Sequence, residues 1–151
     1  TMAAEYFRRV IAADPQNAID SGTPQVLSDR DWQGHGTILI VDDDPMVRSV
    51  MVGMLETCGF QVLAAASGKL ALLELARMAE RPALVMLDLT MPEMSGSETL
   101  SELRRQHPGL RVLLTSGFSE HDALVDADDF LQKPFTFDML RAKVRGLVER
   151  D

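Results

Sequence analysis

The run Ile38-Leu-Ile-Val41, followed at once by Asp42-Asp43-Asp44-Pro45, decides how the rest of the sequence is read. Four consecutive apolar residues, three of them β-branched, predict a short strand covered on both faces, as in the interior of a parallel sheet. Proline suits the first position of a helix and an acid before it caps the free N–H groups, so a helix should start at Pro45. Val47, Val50, Met51, Met54, Leu55 and Cys58 recur at helical spacing until Gly59 stops the pattern.

The same alternation continues outward. Residues 60–64 read as a second strand and 67–79 as a Leu- and Ala-rich helix. Residues 84–87 are a third strand, 97–106 a helix ending before Pro108, and 112–115 a fourth strand. Residues 130–132 make a brief fifth strand, and 135–150 a final helix with Phe137, Leu140, Val144, Leu147 and Val148 on one side. Strand alternating with helix predicts an α/β fold: a parallel sheet with helices on both faces and right-handed crossovers.

Composition agrees. The chain has 151 residues, 46% of them hydrophobic and 25% charged, enough for one core without a metal or disulfide staple. One cysteine, Cys58, rules out an intrachain disulfide and fits a reducing, cytoplasmic compartment. No apolar run is long enough to span a membrane, so no membrane contact is expected. A formal net charge of -8 argues against a non-specific grip on nucleic acid. Residues 3–13 are helix-like, with Tyr6, Phe7, Val10 and Ile11 on one stripe, and 17–36 are polar and turn-rich. The expected organisation is therefore an N-terminal helix and linker over 1–35 and a folded domain over 36–151. Trp32, inside the linker, either docks on a neighbour or is exposed; the sequence leaves both open.

In an open parallel sheet, ligands sit beyond the carboxyl ends of the strands. Those positions hold Asp42, Asp43 and Asp44 after the first strand, Asp88 after the third, Ser116 after the fourth and Lys133 after the fifth. Gathered carboxylates repel, so they need a shared proton or a cation. Oxygen-only ligation by few protein groups suits Mg²⁺, which keeps water and favours phosphate as a co-ligand. A lysine and a hydroxyl beside it suit phosphoryl oxygens, and an aspartate is a competent nucleophile toward phosphorus. Taken singly, each residue has an ordinary reading. Asp44 is a helix N-cap, Asp42-Asp43 caps, Asp88 is a turn acid, and Ser116-Gly117 and Lys133-Pro134 are turn chemistry. It is their coincidence at four strand ends that favours phosphoryl chemistry.

The runs Ile38-Leu-Ile-Val-Asp-Asp-Asp-Pro45, Leu87-Asp-Leu-Thr-Met-Pro-Glu-Met-Ser-Gly96, Leu113-Leu-Thr-Ser-Gly117 and Gln132-Lys-Pro-Phe135 resemble the receiver domains of two-component response regulators. The resemblance covers Gly36 to the end. It implies a flavodoxin-like, doubly wound, five-stranded sheet in the order 2-1-3-4-5. It also implies that Asp88 is the phosphoacceptor, that Asp42 and Asp43 hold Mg²⁺ with Asp43 the more direct ligand, and that Asp88 and the backbone carbonyl of Thr90 complete the metal site. Ser116 and Lys133 then contact the phosphoryl group, Ser116 and Phe130 form the switch, Gly96 relieves the turn into the third helix, and the Lys133-Pro134 bond is cis. The implied partner is a histidine kinase or histidine phosphotransfer protein, docking near Pro45, Met46 and Pro134, with a homodimer as a further association. Such a domain is a signalling receiver that catalyses its own aspartyl phosphorylation and dephosphorylation rather than a conventional enzyme.

The sequence departs from the family's usual pattern in places. Seventeen residues separate Ser116 from Lys133, which shortens the fourth helix to about 121–125. Phe118 stands where a polar residue is common, Leu89 follows the acceptor, and Leu70 stands where the second helix often carries an acid. With no output domain after the last helix and no ATP-binding motif in residues 1–36, the expected setting is the C-terminal receiver of a hybrid histidine kinase, with a single-domain regulator as the other option. Two rival functions remain. One is a haloacid-dehalogenase-type phosphatase using Asp42 as nucleophile with Asp44; the other is a receiver-shaped interaction module that is never phosphorylated.

Overall fold

The computed structural model describes residues 32–89, 96–117 and 127–150. In chain order these form β1 (Thr37–Val41), α1 (Pro45–Thr57), β2 (Gln61–Ala65), α2 (Gly68–Arg77), β3 (Leu84–Asp88), α3 (Gly96–Gln106), β4 (Val112–Ser116), β5 (Asp129–Gln132) and α4 (Phe137–Val148). All five strands pair in parallel in the order β2-β1-β3-β4-β5, with Val41 opposite Ala65 and Leu87, and Asp88 opposite Thr115. This is the doubly wound, flavodoxin-like sheet that the receiver resemblance implies.

The alternation of side chains along a strand explains why β1 is apolar throughout. Ile38 and Ile40 enter a cluster with Met51 and Leu55 of α1 and Leu140 and Val144 of α4. Leu39 and Val41 enter the opposite cluster, with Ala71 and Leu75 of α2 and Leu100 and Leu103 of α3. The helices start where side chains accept orphan N–H groups: Asp44 from Met46 and Val47, Ser67 from Leu70, and Thr136 from Met139. Gly59 ends α1 with φ +99°, a conformation that a side chain would oppose. The Lys133-Pro134 bond is cis, as expected.

The expected helix at 3–13, Thr90, and the shortened helix at about 121–125 with Phe118 and His121 lie outside the described residues.

The first described residues behave differently from a linker. Trp32 packs its ring against Phe60 at a centroid separation of 5.8 Å, and the Arg145 guanidinium of α4 lies 5.7 Å from the indole centroid. Gly34 donates its N–H to the Cys58 carbonyl at 2.7 Å, and the Gln33 amide reaches the Thr57 carbonyl. A Cβ at Gly34 would fall 2.0 Å from the Phe60 ring, so only glycine allows this approach. Together these residues clasp the α1–β2 turn, at the end of the sheet where the strands begin. Trp32→Ala should therefore lower stability by about 1–3 kcal/mol, read from urea denaturation followed by circular dichroism. An unchanged midpoint would show that the clasp carries no folding energy.

Candidate functional site

The strand ends on the other side of the sheet bring the predicted residues together. Asp42 leaves β1 fully buried, its N–H still bonded to the Ala65 carbonyl of β2. Its carboxylate is held at both oxygens: Oδ1 accepts from the Asp44 N–H at 2.9 Å and Oδ2 from the Lys133 ammonium at 2.8 Å. Asp88 ends β3, also buried, and its Oδ2 lies 3.7 Å from the Lys133 Nζ. Ser116 ends β4 fully buried, and its carbonyl accepts the Lys133 N–H at 2.7 Å. Asp43 is exposed at the mouth. One oxygen from each of Asp42, Asp43 and Asp88 can be chosen so that all three lie within 4.8 Å of one another.

Asp44 does not join this group. Its Oδ1 caps α1, which is the ordinary reading of an acid before proline. Phe130 is half-buried on β5 and packs on the cluster beneath α2 and α3. Gly96, the first residue of α3, is pressed against the backbone that follows Asp88: an added Cβ would lie 2.4 Å from the Leu89 Cα and 2.7 Å from the Asp88 carbonyl oxygen.

The electrostatics of the site favour positive charge. Burial pushes the Asp42 carboxyl above its ordinary value; Lys133 pulls it back down, and the neighbouring Asp88 adds to the rise. Lys133 is therefore the cation that permits two buried acids to coexist. One residue beside the site passed unnoticed in the sequence. Arg48 of α1 reaches back so that its Nη1 donates to the Asp42 carbonyl at 2.7 Å. Its signal was a basic residue in the first turn of a helix, where the helix dipole disfavours positive charge.

Comparison with known proteins agrees with this fold. Residues 38–145 match the family model of the response regulator receiver domain. The transcriptional regulatory protein CpxR of Klebsiella pneumoniae is 38% identical over 117 residues, covering 75% of this chain and 49% of that protein. Sensor kinase CckA of Brucella abortus is 36% identical over 126 residues, 80% of this chain and 13% of the kinase. The chain thus spans half or less of the length of these curated relatives. Among solved structures, the response regulator protein TrrA of Thermotoga maritima, in complex with Mg²⁺ and BeF, superposes with a TM-score of 0.69 at 32% identity over 74% of this chain and 98% of that one.

Two outcomes follow from the site's packing and charge. The folded Asp42 binds its proton more tightly than the unfolded residue, so the stability that this one group contributes should be full below 3.8 and lost as pH rises through the raised value. At neutral pH the ionised group carries that cost, and Asp42→Asn should melt higher than the unaltered chain in EDTA, the gap closing below pH 3.8. A lower melting temperature at pH 7 would show that the Lys133 pairing outweighs burial. Gly96→Ala should cost about 1–3 kcal/mol, because backbone must move to admit a methyl group; chemical denaturation reads it directly.

Proposed function

Because the chain belongs to the response regulator receiver domain family, we propose that Asp88 is its phosphoacceptor and that a phosphohistidine on a partner protein is the donor. The family places the domain in two-component signal transduction. The observation that carries the assignment to Asp88 is the convergence of two buried strand-end carboxylates on one ammonium, with Lys133 2.8 Å from Asp42 and 3.7 Å from Asp88, and Asp43 close to both acids.

The donor set fits Mg²⁺, since it is oxygen-only and drawn from few protein groups, leaving room for water and phosphate. Asp42, Asp43 and Asp88 would hold the ion, and the receiver resemblance adds the Thr90 carbonyl as a further ligand. Both Asp42 oxygens already accept hydrogen bonds, and Asp43 is exposed, which favours Asp43 as the more direct ligand. When bound, Mg²⁺ supplies positive charge to the phosphoryl oxygens and lets an anionic nucleophile approach them.

Asp88 attacks phosphorus through a carboxylate oxygen. The P–N bond to the donor imidazole breaks, the ring nitrogen keeps the electron pair and takes a proton from solvent, and an acyl phosphate forms on Asp88. The Ser116 hydroxyl donates to a phosphoryl oxygen, and Lys133 turns from Asp42 toward the phosphoryl group as a point charge. Hydrolysis later returns the Asp88 carboxylate and inorganic phosphate. Phe130, half-buried beside β4, moves inward as the Ser116 side chain turns, so a local change of charge selects between two packings of the rim.

The donor's docking surface is the exposed apolar skin around the site: Pro45 and Met46 at the start of α1, and Pro134. As the setting of this receiver we propose the C-terminal receiver of a hybrid histidine kinase, supported by the similarity to Sensor kinase CckA, with a single-domain regulator as the other option. No described helix is long and apolar enough to cross a membrane, which accords with a receiver on the cytoplasmic side.

Incubation with acetyl phosphate, followed by intact mass, tests the assignment. One Mg²⁺-dependent phosphoryl adduct is expected, absent in Asp88→Asn and reduced at least tenfold in rate by Lys133→Ala. An adduct lost in Asp42→Asn but kept in Asp88→Asn would favour the phosphatase mechanism. No adduct from either acetyl phosphate or a phosphohistidine donor would favour a receiver-shaped interaction module.

A further inference from the structure

We infer that Arg48 is a positioning residue for the cation site: it fixes the peptide that joins Asp42 to Asp43 through its hydrogen bond to the Asp42 carbonyl. The inference rests on the reading of the acidic cluster as a cation site.

Asp42 lies one residue beyond Val41, the last β1 residue paired with Ala65 of β2 and Leu87 of β3. Its N–H still reaches β2, but its carbonyl points past the ladder, and the residue is fully buried. A buried carbonyl without a partner is costly, and α1 supplies that partner from its own first turn. Arg48 is four residues into the region capped by Asp44, whose carbonyl accepts the Arg48 N–H at 2.9 Å. From there its half-buried side chain returns across the helix N-terminus to donate to the Asp42 carbonyl at 2.7 Å.

A cation at a helix N-terminus opposes the helix dipole, and the cap of α1 comes from the Asp44 carboxylate rather than from Arg48. Arg48 therefore occupies a position that helix stability alone disfavours. What it gains there is contact with the one peptide that carries both acids of the β1 end. Asp42 is also anchored by its N–H on Ala65 and by its carboxylate on the Asp44 N–H and Lys133. On the Asp43 side the carboxylate is exposed, and its direction follows the plane of the peptide before it. A donor on the Asp42 carbonyl sets that plane, acting on the metal ligands from outside the ligand set.

The inference makes a prediction opposite in sign to that of simple charge. As a nearby positive charge, Arg48 repels a divalent cation, and its removal would tighten binding. As a positioning residue it orients the ligands, and its removal weakens binding. Mn²⁺ serves as a probe for the Mg²⁺ site, because its electron paramagnetic resonance signal is lost on binding.

Arg48→Met keeps the apolar stem while removing both donor and charge. It should raise the Mn²⁺ dissociation constant by about tenfold or more, with circular dichroism reporting the folded state at the assay temperature. Arg48→Lys, which keeps a donor of shorter reach, should fall between Arg48→Met and the unaltered chain. An affinity left unchanged or tightened by Arg48→Met, in a chain that binds Mn²⁺ and loses it in Asp43→Asn, would overturn this inference alone. Failure of the unaltered chain to bind Mn²⁺ would overturn the cation reading and this inference with it.

Discussion

The Lys133 ammonium lies 2.8 Å from the Asp42 carboxylate and 3.7 Å from that of Asp88, and both acids are almost wholly removed from water. Two negative charges so placed oppose folding unless a positive charge stands between them. Lys133 is that charge in the metal-free chain, and much of the rim's architecture exists to deliver it. β5 pairs with β4 so that Gln132 lies opposite Ser116, and the next residue bonds its N–H to the Ser116 carbonyl. The cis bond before Pro134 then leads the chain toward α4. Backbone pairing thus fixes the base of the Lys133 side chain, from which the ammonium reaches both acids.

The same arrangement explains why the site is suited to exchange one cation for another. Asp42 is already committed at both oxygens, and burial raises its proton affinity. Anything that brings more positive charge to the cluster relieves that burden, and anything that brings a phosphoryl group gives Lys133 a second anion to pair with. Neither event requires the sheet to move. The two hydrophobic clusters hold the strands from either face.

Much of this was legible in the sequence because it depends on local rules. A fully apolar β1, an acid and proline at the start of α1, and glycine after it each have one dominant structural meaning. Strand-end chemistry followed from topology alone: once the alternation of elements was read, Asp42, Asp88, Ser116 and Lys133 had to share a rim. What could not be read depends on where distant side chains meet. Arg48 looks like any exposed helical arginine until the Asp42 carbonyl is seen beneath it. Residues 32–36 have the glycine-rich composition of a linker, yet Gly34 is small in order to lie under the Phe60 ring, and Trp32 closes over it. Composition reports conformational freedom, and it does not say whether that freedom has been used to make a close contact.

The clasp at Trp32 also sorts the molecule's traffic. Trp32 and Gly34 lie beside the α1–β2 turn and Arg145, at the pole where the strands begin. The acidic rim lies at the pole where they end. Contacts made at the clasp and contacts made at the rim thus fall at opposite ends of the sheet, and neither covers the other.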